Sequence, residues 1–347
     1  MTESGSSSVA VFALGGTIAM TRTSGGGVSP ALSAADLLTA VPDLSDVQAE
    51  LRVHDFRNKP GASLNFSDLF ELAGAIDNAL SDGCVGAVVT QGTDTIDEVA
   101  YVLDLLLSGD PPVAVTGAMR NPTMASADGP ANLLGAIRVA ASPYARELGC
   151  LVVINDQVHA ARWVRKAHTG STAAFVSPDH GPLGHVVEGR VHIPVRIRLR
   201  SPVLNPDPSR RVRVGLATIA FGDDGTTIGA MAEHVDGLVV AAFGAGHVPD
   251  IVVPVLSKIA KRIPVMLASR TGAGPVHQVT YGFPGSERDL LARGLISAGY
   301  LDPLKARILL HVLLASGADD VRIREAFAAA GDTSELDVCD ENEGIDG

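Results

Sequence analysis

Short, almost entirely apolar segments alternate with helical segments along the first half of this chain, and this alternation constrains the fold most. Apolar runs of this length are typical of strands buried on both faces. Four such strands are predicted, at residues 9–14, 86–90, 113–116 and 151–154. Because helical periods separate them, the pattern predicts a mostly parallel sheet covered by helices on both sides.

Several helix starts are marked by polar residues that can cap a backbone. Ser33 and Asp36 are spaced as a capping box, and so are Thr95 and Glu98. Another helix is predicted from Asn65, where apolar residues recur at intervals of three and four, and a further helix covers residues 129–141.

A second alternating series follows a proline-rich stretch and predicts a second domain. Its predicted strands cover residues 212–219, 237–242 and 264–268, and its predicted helices 226–234, 252–260, 286–298 and 303–314. We predict an N-terminal domain over residues 1–195, a linker over 196–210, a C-terminal domain over 211–333 and a disordered acidic tail over 334–347. The fold prediction is α/β, with a doubly wound, mostly parallel N-terminal sheet and a smaller flavodoxin-like α/β domain.

Charge and composition disfavour two classes of partner. The formal net charge is −12 and aromatic residues make up 4% of the chain, so nucleic acid and membrane surfaces are not expected partners. Cys84, Cys150 and Cys339 form no CxxC pair, no basic leader opens the chain, and no apolar run reaches the ~20 residues of a bilayer span. These features predict a cytoplasmic protein without structural disulfides.

Two predicted strands end in glycine turns that carry hydroxyl groups, at residues 15–17 and 92–94. In a parallel α/β sheet, ligands bind at the carboxyl ends of the strands, so Thr17, Thr93 and Asp94 are candidate site residues. The first turn lacks the third glycine of a dinucleotide fingerprint, and no Walker lysine follows it. The alternative is structural: Thr17 as a cap or packing residue, Thr93 as a turn hydroxyl and Asp94 as a neighbour of a helix cap.

Longer strings around these turns carry a family resemblance. They are VFALGGTIAM, VVTQGTDTIDEVAYVLDLLL and PVAVTGAMRNPTMASADGPANLLGAI, followed in order by IND, GPLG, AFGAG, YGFPG and KAR. With these motifs the chain resembles the bacterial L-asparaginase family, the amidohydrolases of asparagine and glutamine, over nearly its whole length.

The resemblance implies a role for each matched position. Thr17 corresponds to the nucleophile of the family and Thr93 to its second threonine. Asp94 corresponds to the residue that binds the substrate α-amino group. Ala118 would offer its backbone carbonyl to the leaving amide nitrogen. The implied reaction is a two-step acyl transfer with no metal and no organic cofactor, and the ten histidines include no HExxH motif.

The active-site lysine of the family follows an Asn-Asp pair, which implies Lys166 here, after residues 155–156. Arg165 is the alternative one position away, and a solvated surface lysine is the structural alternative. A threonine hydroxyl is a weak nucleophile that needs a base, and a lysine in a cleft can take that proton. Asp94 would then orient the lysine or its hydroxyl partner.

Two loops depart from the family pattern. The family carries a tyrosine on the loop after the first glycine turn, but the four tyrosines here stand at 101, 144, 281 and 300. Thr21, Thr23 or a tyrosine from elsewhere is the candidate replacement, and a weakly active or regulatory family member is the alternative reading.

The carboxylate-binding loop has Gly61 and Ala62, followed by Ser63, and the first two stand where the family has polar side chains. Backbone N–H groups, Ser63, or the nearby Arg57 and Lys59 are the candidates to hold the carboxylate. The altered loop also motivates a substrate alternative, a glutaminase or another small-amide amidohydrolase.

His247 stands where some family members have asparagine, which makes it a candidate contributor to the site of a partner subunit, or else a turn histidine. The family resemblance implies a homodimer or a homotetramer, with a small-molecule substrate as the only other partner. An amidotransferase subunit of the same fold is a more remote alternative, since such subunits usually carry an extra N-terminal domain.

Overall fold

The structure is a computed structural model that describes residues 7–16, 18, 20–22, 28–30, 33–197, 200–201 and 203–331. For residues 20–22, 28–30 and 34 it describes the backbone. The chain divides into two compact units, with the boundary between Arg211 and Val212. The predicted acidic tail over 334–347 lies outside the described residues.

The first unit is built on a large sheet. The strands of this unit are β1 (Ser7–Ala13), β2 (Met20–Arg22), β3 (Val28–Pro30), β4 (Ala49–Asp55), β5 (Cys84–Thr90), β6 (Val113–Thr116), β7 (Cys150–Ile154), β8 (Gln157–Ala160), β9 (Arg165–Lys166), β10 (Phe175–Val176), β11 (Gly184–Val187) and β12 (Arg190–His192). Eight of them form the sheet, in the order β12-β11-β8-β7-β6-β5-β1-β4. Strands β4, β1, β5, β6 and β7 run parallel, and β8, β11 and β12 continue the sheet as antiparallel strands. β2 pairs with β3 and β9 with β10 in two separate antiparallel ribbons.

Helices cover both faces of this sheet, as the apolar strands require. The helices are α1 (Ala34–Thr39), α2 (Phe66–Ser81), α3 (Ile96–Leu106) and α4 (Gly129–Ala141), and short 3₁₀ turns cover Leu44–Asp46, Gly61–Ser63, Thr93–Thr95 and Pro143–Ala145. Val9 and Val11 share one core with Leu133 and Ile137 of α4. Side chains of β1 alternate between the faces, and α2 and α3 pack together on the other face. The predicted α/β class is confirmed.

Two predicted helix caps are confirmed and one is wrong. The Asp36 backbone N–H donates to the Ser33 side chain, and the Asp68 N–H donates to Asn65 Oδ1. Thr95 does not form the predicted capping box with Glu98, because the Glu98 backbone N–H donates to Asp97 Oδ1 at 3.2 Å. The Thr95 hydroxyl donates to the distant Gly61 carbonyl at 3.2 Å.

The second unit contains a parallel sheet of four strands in the order β13-β14-β15-β16. Its elements are β13 (Val214–Thr218), α5 (Thr226–Ala232), β14 (Gly237–Ala242), α6 (Val253–Ala260), β15 (Val265–Ser269), α7 (Glu287–Ala292), β16 (Ile296–Ser297), α8 (Pro303–Ala315) and α9 (Asp320–Ala330), with a 3₁₀ turn at Asp250–Val252. The helix predicted over 286–298 is wrong in its length: Gly294 has a φ of +100°, which ends the helical path, and β16 follows.

The segment predicted as a linker over 196–210 begins with several bonds to the first unit. Arg200 donates to the Gly109 carbonyl at 3.1 Å, and the Ser201 hydroxyl donates to Asp104 at 2.6 Å. The partition into domains over 1–195 and 211–333 stays a prediction. None of the helices in the described part of the chain combines the length and the apolar composition that a bilayer span requires.

Candidate active site

The carboxyl ends of β1 and β5 meet through their glycine turns. Gly16 has a φ of +90°, a conformation that favours glycine. A Cβ placed on Gly16 would lie 2.0 Å from the backbone nitrogen of Gly92, so the two turns are in direct backbone contact. Thr17, predicted as the nucleophile, and Thr23 lie outside the described residues. Adjacent parallel strands therefore bring the Gly92 turn beside the residue that precedes Thr17 in the chain.

Three candidate residues come together next to this contact. Lys166 Nζ donates to Thr93 Oγ1 at 2.9 Å and lies 3.1 Å from Asp94 Oδ1. Thr93 is buried, whereas the Asp94 side chain is 71% exposed and that of Lys166 is 18% exposed. The ammonium thus sits between a buried hydroxyl and a carboxylate that faces solvent. Lys166 supplies a nitrogen that contacts Thr93.

The carboxyl end of β6 approaches the same turn. A Cβ on Gly117 would lie 2.5 Å from the Gln91 carbonyl oxygen and 3.4 Å from Thr93 Cγ2, so only glycine allows this approach. Ala118 follows and is buried. The side chain of Asn132 donates to the Gly117 carbonyl at 2.9 Å, which fixes the backbone that leads into Ala118.

Asp128 holds the backbone on the other side of Ala118. Its carboxylate accepts the backbone N–H groups of Met119 and Arg120 at 3.0 and 2.8 Å. An apolar cavity of about 170 Å³ lies against this segment, lined by Ile18, Leu37, Ala118 and Leu133 among others. Neither Thr93 nor Lys166 belongs to its lining, so the cavity and the hydroxyl–ammonium cluster are separate features.

The 3₁₀ turn Gly61–Ser63 packs on the Thr93 turn through its first residue. Gly61 is buried, and its carbonyl accepts the Thr95 hydroxyl at 3.2 Å. Gln91 extends this contact, since its side-chain amide donates to Thr95 Oγ1 at 3.3 Å. Ala62 and Ser63 follow in the same turn and are exposed.

Arg57 and Lys59, the cationic candidates for a carboxylate, are both bonded to Asp68. Arg57 Nε donates to Asp68 at 3.0 Å and Lys59 Nζ at 2.8 Å. Burial acts to raise the pKa of Asp68, but the hydrogen bonds from Lys59, Arg57 and the Asn65 N–H outweigh it and lower that pKa. Asp68 therefore stays ionised and pairs with both cations, and Glu71 supplies a second carboxylate to Arg57.

His247 lies in the second unit, in a cluster that the sequence did not single out. Its Nε2 is 3.2 Å from Glu287 Oε2, and its ring meets Tyr281 edge-on at 4.8 Å. The Glu287 side chain is fully buried, and its other oxygen accepts the Tyr281 N–H at 2.7 Å. In the sequence, Glu287 lies two positions after the YGFPG motif, and this proximity is the only feature that could have pointed to it. That motif contributes only to the family resemblance.

One further residue of the first unit was missed. Asp97 accepts the backbone N–H of Lys166 at 2.9 Å. In the sequence it is one of two acidic residues in the first turn of a helix, a position that acidic residues favour in any helix. Nothing local in the sequence pairs it with Lys166. In the described part of the chain, no group of three or more His, Cys, Asp or Glu side chains is arranged to hold a metal ion.

Comparison with protein families matches both parts of the chain. Residues 8–198 match the family described as "Asparaginase, N-terminal", and residues 213–327 match the "Glutaminase/Asparaginase C-terminal domain".

Individual relatives cover nearly the whole chain. It is 37% identical to the "Probable L-asparaginase" of Deinococcus radiodurans, over 92% of this chain and 96% of the relative. It is 33% identical to "L-asparaginase 2" of Escherichia coli, over 92% of each chain. It is also 33% identical to the "Glutaminase-asparaginase" of Pseudomonas fluorescens, over 92% of this chain and 89% of the relative.

A solved structure agrees with these matches. The crystal structure of a probable cytoplasmic L-asparaginase from Campylobacter jejuni superposes with a TM-score of 0.82 at 34% identity, covering 93% of this chain and 99% of that one.

Proposed function

Because the chain belongs to the asparaginase family over both of its parts, we propose that it is an L-asparaginase, an amidohydrolase that converts L-asparagine to L-aspartate and ammonia. The observation that carries the proposal is the contact of the Lys166 ammonium with the Thr93 hydroxyl and the Asp94 carboxylate. Thr93 and Asp94 follow the carboxyl end of the parallel strand β5, where α/β proteins bind their ligands, and Lys166 reaches them from β9. The relatives named L-asparaginase support the choice of substrate.

We assign the first chemical step to Thr17. Its hydroxyl oxygen attacks the side-chain amide carbon of the substrate, the carbon–nitrogen bond breaks, and the nitrogen takes up the proton that the Thr17 hydroxyl loses and leaves as ammonia. Ala118 offers its carbonyl to the departing nitrogen. Backbone N–H groups of the two glycine turns stabilise the oxyanion, at about 3 kcal/mol for each donor.

In the second step a water molecule hydrolyses the acyl-enzyme. The water oxygen bonds to the acyl carbon, the ester bond to Thr17 breaks, and a proton returns to the Thr17 oxygen. Thr93, Lys166 and Asp94 orient the water and relay the proton that it loses to the Thr17 oxygen, because Lys166 Nζ contacts both the Thr93 hydroxyl and the Asp94 carboxylate. Asp94 is exposed and also binds the α-amino group of the substrate.

The substrate carboxylate is assigned to the turn Gly61–Ser63. Gly61 is bonded to the Thr93 segment through Thr95, which supports a position near the substrate. Since Arg57 and Lys59 are engaged by Asp68, the backbone N–H groups and the Ser63 hydroxyl are the stronger candidates. A glutaminase is the second candidate function, because this loop departs from the family and one relative is named glutaminase-asparaginase.

Ammonia release from asparagine and from glutamine tests the proposal. We expect Thr93→Val and Lys166→Met to lower kcat/KM about 10²–10⁴-fold without loss of folding, since each removes a proton-handling group. Lys258→Met removes an exposed lysine of the second unit and should leave the rate unchanged. An enzyme that hydrolyses glutamine faster than asparagine would move the assignment to the second candidate. A wild type that releases ammonia from neither amide is a regulatory or inactive family member.

We also propose a homodimer or homotetramer in which His247 of one subunit completes the site of another. The support is the cluster around His247, whose ring contacts Tyr281 and whose Nε2 faces the buried Glu287. A cytoplasmic location is proposed as well. It is supported by the name of the Campylobacter jejuni structure and by Cys84 and Cys150, which are free, buried thiols.

A further inference from the structure

Alternate residues of the short segment 93–97 each make one long-range contact. Thr93 Oγ1 accepts a hydrogen bond from Lys166 Nζ at 2.9 Å, and the Thr95 hydroxyl donates to the Gly61 carbonyl at 3.2 Å. The third is Asp97, whose Oδ2 accepts the backbone N–H of Lys166 at 2.9 Å. Lys166 is therefore bonded at both of its ends, main chain and ammonium, to one segment of five residues.

The main-chain contact matters because the strand that carries Lys166 is very short. β9 consists of Arg165 and Lys166 and, among the residues that the structure describes, pairs with β10, another two-residue strand. A two-stranded ribbon is marginally stable by itself in water. The bond to Asp97 ties this ribbon to α3, whose residues are buried against the large sheet.

Asp97 is well placed for this task. Its residue is buried, and its second oxygen accepts the Glu98 N–H at 3.2 Å, so both oxygens are occupied. As an acidic residue in the first turn of α3, it is also favoured by the partial positive charge of the helix N-terminus. These contacts restrict its carboxylate to one orientation, which a positioning group requires.

We propose that Asp97 is a positioning residue for the proposed reaction, holding the Lys166 backbone so that its ammonium reaches both Thr93 and Asp94. Asp97 touches neither the Lys166 ammonium nor the Thr93 hydroxyl, and it acts through the main chain alone. The expected effect of Asp97 on the rate of ammonia release rests on the proposed function. The placement of the Lys166 side chain by Asp97 does not depend on the substrate.

The first test compares two substitutions of Asp97. Asp97→Leu removes the acceptor, and we expect kcat for ammonia release to fall about 30- to 100-fold with KM changed less than about threefold, because a misplacement of about 1 Å costs this much. Asp97→Asn keeps an acceptor oxygen and should stay within about fivefold of the wild-type rate. Asp104→Asn is the matched control on the same helix. Its carboxylate accepts the Cys150 N–H at 2.8 Å, and the variant should lower the melting temperature without changing kcat at a temperature where it is folded.

A double-mutant cycle separates positioning from a general loss of structure. If Asp97 acts through Lys166, Asp97→Leu causes no further loss of kcat in a Lys166→Met background. An equal loss in both backgrounds, or an Asp97→Asn variant as slow as Asp97→Leu, overturns the inference.

A wild type that hydrolyses neither asparagine nor glutamine would overturn the proposed function alone. Crystal structures then decide about Asp97. The distance from Lys166 Nζ to Thr93 Oγ1 should exceed hydrogen-bonding range in Asp97→Leu and stay near 2.9 Å in Asp97→Asn. An unchanged distance in Asp97→Leu refutes the positioning role whatever the activity.

Discussion

Replacing Gly16 by alanine should damage both the stability and the activity of this protein. The residue has a φ of +90°, which alanine adopts only under strain. The new Cβ would lie 2.0 Å from the Gly92 nitrogen and 2.3 Å from the Gly92 Cα, whereas Cβ atoms in proteins essentially never approach closer than 3.0 Å. Backbone atoms cannot rotate away as a side chain can, so the turn that carries Thr93 must move.

The geometry sets the expected size of both effects. Backbone strain of this kind costs about 1–3 kcal/mol, and overpacking a tight contact adds about 1–3 kcal/mol. Lower entropy of the unfolded chain offsets about 0.4–1 kcal/mol, which leaves a loss of about 1–6 kcal/mol in the free energy of unfolding. Relieving the overlap moves the Gly92 turn by about 1 Å, and Thr93 moves with it, so kcat should fall about 10²-fold.

Guanidinium unfolding and steady-state ammonia release at a temperature where both proteins are folded measure the two effects. Gly74→Ala is the matched control, since Gly74 lies exposed in α2 with nothing within 4 Å of the new Cβ. That change should stabilise the protein by about 0.5–1 kcal/mol and leave the rate unaltered. A Gly16→Ala variant as stable and as active as the wild type would refute the direct contact between the two turns.

Three further outcomes are expected. Thr95→Val removes the hydrogen bond to the Gly61 carbonyl. KM should rise about five- to tenfold with little change in kcat, which corresponds to about 1 kcal/mol of lost substrate binding. A drop in kcat alone would contradict the assignment of the substrate carboxylate to the turn Gly61–Ser63. Burial, together with a nearby arginine, lowers the pKa of His311 to about 4 from an ordinary 6.5. The unfolded chain then takes up a proton near pH 6.5 that the folded protein accepts only near pH 4, so the melting temperature should fall as the pH drops through this interval, and His311→Leu should flatten that slope. Co-expressing Lys166→Met with His247→Ala should restore about a quarter of the wild-type rate if each site combines two subunits, because random pairing gives one intact site in half of the dimers. The two variants can also be purified separately and mixed under conditions that exchange subunits. A rate that does not recover after this mixing would contradict a shared site.

Helix caps illustrate where local sequence is sufficient. Ser33 and Asn65 cap the helices that they precede. Each side chain accepts the backbone N–H of the aspartate three residues later, and the carboxylate of that aspartate accepts the N–H of the cap residue. Thr95 has the same spacing to Glu98, yet its hydroxyl bonds to Gly61, 34 residues away. The spacing of the residues is the same at Ser33 and at Thr95. The hydrogen bonds differ because the order of the strands brings the Gly61–Ser63 turn beside Thr95.

The candidate site divides in the same way. Thr93 and Asp94 could be predicted from a glycine turn at the end of a strand, and Lys166 through the family resemblance. Asp97 could not, because an acidic residue in the first turn of a helix is common and carries no sign of its partner 69 positions later. Glu287 was hidden for a related reason: its pairing with His247 spans 40 residues.

Local patterns in the sequence were enough to predict the buried parallel strands, where most helices begin, and which turns require glycine. These follow from side-chain period and backbone preference, interactions that act over a few residues. The packing of the whole chain, in contrast, places the Lys166 ammonium against Thr93, 73 residues before it, and Gly16 against Gly92. Such contacts depend on strand order and on how loops pack over the strand ends, which arise from burying the whole sheet at once and leave no periodic trace in the chain.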